Sequence, residues 1–380
     1  MMSTKSSVRP SARSVMSGFA TRSEPVNTMM NMRIRMKTYR SLMLKLVAAC
    51  TLAVMTGADG ELLAQEGSLQ KTPFTSTTTF SVITPPDPNF IPMAVLSARA
   101  EEWMPGVDVD MVMAPSGDPS AMRAMLYSRS ADFALFSVLG GSRFYSSGMS
   151  NLSLVGVHVW KGVYLAAQES VTSVEKLNGE RLIAVPAIMT PSHMVANHAL
   201  RSKGIRADFV SGGGGPVLMA QLSRPESAPA GFVAPEPMVS IILQRQQKEN
   251  WPIRYRVIMD SQDAASPETG ETPLGGLWVV DPERIGSKKD AARKFVEGFG
   301  KAVDYVGDPR NVDEVARIVS VAMKEIYGQN APASVYRSML QSGRLKLDFR
   351  KADAVESVIT SELKRIYDVS IDANLFRSVL

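Results

Sequence analysis

The sequence predicts an α/β fold of two domains, each a sheet whose strands alternate with helices. Three observations predict it. From residue 71 onward, short segments rich in Thr, Phe and Val alternate with segments of helical period, separated by short Gly- and Pro-containing loops. The chain has 380 residues, which at roughly 100–200 residues per domain makes two domains. With 45% hydrophobic residues it can bury a core in each, which excludes disorder across the whole chain.

The elements follow in order. Residues 75–82 read as a strand, Pro85-Pro86-Asp87-Pro88-Asn89 as a turn and 91–102 as a helix. Val107–Met113 alternates as a strand, 119–128 is helical and 133–136 is a short buried strand. This order implies a parallel sheet with helices on its faces. Strands are expected at 152–159, 162–167, 181–185, 208–210 and 231–233, with helices at Val174–Leu177, 192–203, 217–222 and 238–247. Segments 254–259 and 276–280 are strand-like, and the remainder reads as helical at 288–305, Val312–Tyr327, Ala333–Gln341 and 352–367. Topology places that helical tail on the first lobe.

The first 64 residues have another character. Residues 1–35 carry scattered Ser, Arg and Met with no hydrophobic period, and are read as unstructured or as a mis-assigned start. Residues 36–64 run basic (Lys37, Arg40), apolar (Leu42 to Met55), then small, the order of a secretory signal peptide. The apolar run is shorter than the roughly 20 residues that span a bilayer. Cleavage is expected after Ala64, with Ala58 the competitor. Val47-Ala48-Ala49-Cys50 resembles a lipobox, so lipid anchoring through Cys50 is the alternative to a free periplasmic protein.

Charge and composition exclude several classes. The formal charge is +5, but nine of the Lys and Arg and three of the Asp and Glu fall within residues 1–64, leaving a formal −1 for 65–380. Basicity therefore belongs to the leader, and no nucleic-acid partner is expected. One Cys and three His (His158, His193, His198) supply no disulfide or metal framework, and no cofactor is expected. No Gly-x-Ser-x-Gly or His-Glu-x-x-His motif occurs, and His193 and His198 are five apart, so catalysis finds no support.

Three phrases carry a resemblance. Ser130-Ala131-Asp132-Phe133-Ala134, the stretch from Val174-Glu175-Lys176-Leu177-Asn178-Gly179 through Val185-Pro186, and Ala234-Pro235-Glu236-Pro237 resemble, in order and spacing, the substrate-binding proteins of ABC importers of the nitrate, sulfonate, taurine and thiamine-precursor group. Departures are Arg129-Ser130, where the family has a Gly before Ala-Asp, and Arg224-Pro225-Glu226-Ser227. The resemblance implies a two-lobed, type II-like periplasmic-binding-protein fold. Residues 71–159 and 275–380 would form lobe 1, with the helical tail packed on it, and 160–274 lobe 2. It further implies hinge closure on a small solute and delivery to an ABC permease and ATPase. The protein is expected to be a monomer and not an enzyme. An enzyme of thiamine-precursor synthesis on the same fold and a solute-sensing receptor component are the alternatives.

In open α/β sheets ligands lie beyond the carboxyl ends of the strands. Asp87, Asn89 and Phe90 follow the first strand, where Asn89 also suits a helix cap. Ser116 and Gly117 follow the second, with Asp118 placed as a cap. Phe136 and Ser137 end the third, and Trp160 stands at the crossover, flanking the cleft or packing the hinge. Thr190, Ser192 and His193 open a helix whose free N–H groups and positive dipole end suit an acidic ligand group. Gly213 and Gly214 lie in a glycine run that lets backbone approach a ligand. Glu236 ends a strand and would receive a cationic or hydroxyl group, or else a hinge hydrogen bond.

Overall fold

The computed structural model describes residues 77–114, 119–213 and 215–376. The expected export segment with Cys50 and the expected cleavage sites, the loop residues Ser116, Gly117 and Asp118, and Gly214 lie outside them. Among the described residues no helix is long and apolar enough to cross a membrane.

In chain order, numbering only helices of nine residues or more, the first lobe begins with β1 (Thr78–Thr84), α1 (Phe90–Ala98), β2 (Val107–Met113), α2 (Pro119–Tyr127), β3 (Phe133–Ser137), α3 (Val138–Ser146) and β4 (Ser153–Lys161). The chain then passes into β5 (Val163–Gln168), β6 (Arg181–Ala184), α4 (Pro191–Ser202), β7 (Asp208–Ser211), α5 (Gly215–Ser223), β8 (Gly231–Pro235), α6 (Met238–Lys248) and β9 (Tyr255–Asp260). It returns to β10 (Gly275–Val279) and ends with α7 (Lys289–Gly307), α8 (Val312–Tyr327), α9 (Ala333–Gln341), β11 (Lys346–Lys351) and α10 (Glu356–Tyr367).

Two sheets result, ordered β11-β4-β10-β3-β1-β2 and β7-β6-β8-β5-β9. The expectation of parallel sheets is corrected in part. β1 pairs parallel with β2 and β3, and β6 with β7 and β8, whereas β10 runs antiparallel to β3 and β4, β11 to β4, and β5 to β8 and β9. The cause is the double crossing. β4 continues into β5 with only Gly162 between them, so one sheet's exit strand is the other's antiparallel member.

α7 has apolar residues at helical spacing, and its buried face of Ala292, Phe295, Val296, Phe299, Ala302, Val303 and Val306 covers the first sheet. Phe295 meets Phe133 at 4.4 Å and Phe80 at 5.7 Å between ring centroids. Each such ring withdrawn from water stabilises the fold by about 1.5–3 kcal/mol. Asp132 of the Ser-Ala-Asp phrase is buried and accepts the Ser81 N–H at 2.9 Å, tying β3 to β1.

The tail packs on the first sheet and adds what sequence reading missed. β11 extends that sheet's edge, and residues of the tail also reach the second lobe. Gln244 donates to the Ser334 carbonyl (3.1 Å), and Arg365 on α10 donates to Ser266 Oγ (2.7 Å) and lies 3.1 Å from His198 Nε2 on α4.

Candidate solute-binding cleft

The strand directions set the geometry. β1, β2, β3 and β4 all run toward the crossings, and in the second sheet β6, β7, β8 and β9 end there while β5 begins there. The carboxyl ends of both sets of parallel strands therefore face the two crossings, Lys161 to Val163 and Ser261 to Leu274. In the first sheet Gly275 pairs with both Ser137 and Val159, so the ends of β3 and β4 and the start of β10 are side by side.

On the first lobe, Asp87 and Asn89 form one unit. Asp87 Oδ1 accepts from the Asn89 N–H (2.9 Å) and from Asn89 Nδ2 (2.7 Å). Burial pushes the Asp87 carboxyl up to about 7 against the pull of those two bonds. Asn89 lies over Gly275, where a Cβ would come within 2.1 Å of Asn89 Oδ1. Ser137 caps α3 by accepting the Gly140 N–H at 3.0 Å.

On the second lobe, Thr190 is the N-cap of α4 but makes no side-chain cap bond, its hydroxyl donating instead to the Ala187 carbonyl (2.7 Å). Ser192 is buried in the first turn. Met189 holds φ +65°, a left-handed conformation costly for a residue with a side chain. Its N–H donates to His193 Nδ1 (3.1 Å), which leaves the His193 proton on Nε2. Burial first, and the Arg201 charge second, hold the His193 pKa below its usual value. Gly213, at φ +66°, donates its N–H to the Pro186 carbonyl (3.0 Å), joining the glycine run to the β6–α4 loop.

No protein-family model and no curated protein sequence matches the chain. Solved structures do. An ABC transporter structure from Parabacteroides distasonis aligns at TM-score 0.60 and 15% identity over 79% of this chain and 99% of that one. The periplasmic aliphatic sulphonate binding protein of Escherichia coli aligns at 0.58 and 17% over 77% and 93%. A Candida albicans protein described as exhibiting the generic periplasmic binding protein structural fold aligns at 0.52 and 14% over 78% and 93%. The chain has the periplasmic binding protein fold. Within this fold the two sheets with their helices are the lobes, joined by the paired crossings.

Several expected ligand residues are engaged in contacts within the protein. Trp160 is fully buried, donates from Nε1 to the Asp348 carbonyl (2.8 Å) and carries the Arg350 guanidinium 4.2 Å from its ring centroid, so it packs β4 against β11 and does not flank a cleft. Phe90 is buried edge-on to Tyr327 at 5.1 Å. Phe136 stacks on Trp278 at 5.1 Å, a core pair and not a wall. Glu236 is completely buried and spends its carboxylate on Ser240 N–H and Oγ (both 3.1 Å) and on Arg344 Nε (2.5 Å). That is the hinge-bond alternative, made by a residue of the tail.

Sequence reading also missed Arg143 of α3. It reaches from the first lobe to the second, donating from Nη1 to the Met189 carbonyl (3.2 Å), with Nη2 3.3 Å from Met194 Sδ. The first crossing is held by Gln262, whose Oε1 accepts both the Gly162 and Val163 N–H groups (3.2 and 3.0 Å). Lys161 bridges Asp260 and Asp263 at 2.8 Å each. No spacing signal marks these residues, because their partners are about 50 to 100 positions away.

Proposed function

We propose that this protein is the exported solute-binding component of an ABC importer, working as a monomer in the periplasm. It captures a small anionic solute between lobes formed by 71–159 with 275–380 and by 160–274. It then presents the solute to a membrane permease and ATPase. The observation that carries the anionic reading is Arg143. Its guanidinium stands at the turn that opens α4, beside a helix start whose N-cap hydroxyl is spent elsewhere. A cation from one lobe and the positive end of a helix from the other suit an acid group held between them. Such a ligand favours the closed arrangement only through contacts with both lobes, and these two groups supply one from each. Resemblance to a sulphonate-binding protein of known structure supports the same solute chemistry.

Thermal shift and calorimetry on residues 65–380 test the reading. Sulfonates, nitrate and short carboxylates are compared with uncharged and cationic solutes of similar size. At least one acid should raise the melting temperature, and Arg143→Gln should weaken its binding. Stabilisation by cationic or neutral solutes alone would overturn the anionic reading.

A further inference from the structure

The turn that opens α4 keeps a costly shape without help from its own side chains. Met189 stands at φ +65°, and its side chain and that of Ile188 are both exposed, so neither anchors the turn by packing. Such a conformation persists only where its surroundings over-determine it. Here the restraints are hydrogen bonds. The Ile188 N–H donates to Ser211 Oγ (3.2 Å), the Ala187 carbonyl accepts the Thr190 hydroxyl (2.7 Å), and the Pro186 carbonyl accepts the Gly213 N–H (3.0 Å). Met189 itself is gripped on both sides. His193 Nδ1 accepts its N–H at 3.1 Å, and Arg143 of the other lobe donates to its carbonyl at 3.2 Å.

Of these partners, His193 alone can change its hydrogen-bonding role near neutral pH, since guanidinium, hydroxyl and backbone groups keep theirs. The neutral ring offers a lone pair at Nδ1. Protonated, it presents an N–H to the Met189 N–H, and the attraction becomes a repulsion. Phe209 of β7 stands perpendicular to the ring at 4.8 Å between centroids and holds it in place. The charges around His193 are Arg201, two turns further along α4, and Arg143 at the turn, while Asp208 lies on the opposite side of β7 from Phe209. Burial and the Arg201 charge favour the neutral ring, so the bond to Met189 is in place at pH 7 and is lost only in acid.

We propose that His193 is the positioning residue of the cleft: neutral, it locks the Ile188–Met189 turn in the shape that Arg143 meets from the other lobe, and protonated, it releases that turn. Resting on the anionic reading above, the lock makes capture of an acid pH-dependent, with the acid held near neutrality and let go in acidic surroundings.

Nuclear magnetic resonance of residues 65–380 reads the lock without any solute. Protection of the Met189 amide against hydrogen exchange should fall about fivefold or more between pH 6.5 and 4.5, the scale of one net hydrogen bond, as the His193 ring titrates. His193→Asn keeps an acceptor oxygen at the δ position and does not titrate, so its protection should persist to pH 4.5. His193→Phe keeps a ring against Phe209 without the acceptor, so its protection should be low throughout. General loss of stability in acid is common to all three proteins. Calorimetry with ethanesulfonate, which stays ionised over this range, should show the same three patterns in affinity. Equal protection of the Met189 amide in the parent and both variants overturns the lock. Affinity that is indifferent to pH and to both variants, while the amide responds, overturns its link to capture. Failure of ethanesulfonate to bind the parent at any pH counts against the anionic reading, and the amide titration then decides the lock by itself.

Discussion

Arg344, in the strap between α9 and β11, donates from Nε to the buried carboxylate of Glu236 at 2.5 Å and from Nη2 to Ser240 Oγ at 2.8 Å. Its carbonyl accepts the Tyr164 hydroxyl at 2.7 Å. The tail of the first lobe is thereby fastened to the end of β8 and the start of β5, beside the first crossing. Removing one member of such a pair leaves a buried charge uncompensated. Arg344→Ala should therefore cost about 3–5 kcal/mol in denaturant unfolding. Glu236→Gln combined with Arg344→Met should recover much of that loss, because no charge is then left buried alone. A cost for Arg344→Ala below about 1 kcal/mol, the range of an exposed pair, would show that the contact is not held in solution.

His158 is wholly buried on β4, edge-on to Phe299 at 5.1 Å, with neither ring nitrogen bonded among the described residues. Burial lowers its pKa from 6.5 to about 3. The unfolded chain takes up a proton below pH 6.5 and the folded chain does not until about 3. Stability is therefore lost as pH falls through that window, at up to about 1.4 kcal/mol per unit for this one group. His158→Phe should flatten the decline. Unfolding midpoints at pH 7, 5.5 and 4 check it, and parallel curves for the two proteins would refute the assignment.

Asp87 acts with the opposite sign. Its folded pKa is raised from 3.8 to about 7, so the native state holds a proton that the unfolded chain releases, and stability falls as pH rises from about 4 to 7. Asp87→Asn should raise the melting temperature at pH 8 and change it little at pH 4. Ionisation of Asp87 also adds a negative charge at the first-lobe end of the cleft. Affinity for an acidic solute should therefore drop between pH 6 and 8.5 in the parent protein more than in Asp87→Asn, as measured by titration calorimetry at both pH values.

Much of the fold was legible because its signals are local. β2 stands where the alternation of Val107–Met113 placed it, and α8 and α9 keep the bounds their periodicity predicts. α3 escaped notice because Gly140 and Gly141 are poor helix formers, and the reason for Gly141 is tertiary: a Cβ there would come within 2.1 Å of the Trp278 ring. β11 escaped because a helical reading of its neighbours absorbed the alternation of Leu347 and Phe349. Asp87, Asn89 and the start of α4 lie where their place after strands put them, at strand ends that face the crossings. Trp160, Phe136 and Glu236 share that placement, yet their side chains are spent on Asp348, Trp278 and Arg344.

By itself the sequence determined the alternation of strands and helices, the basic N-terminal segment distinct from a near-neutral body, and the loops that gather at the strand ends. These follow from period, composition and turn chemistry over windows of a few residues. Only the tertiary structure decided that Arg143 and Arg344 span the lobes, and that Gln262 and Thr272 meet the first crossing. Hydrogen bonds between residues about 50 to 100 positions apart are set by how two sheets are joined, and nothing in a local window encodes that.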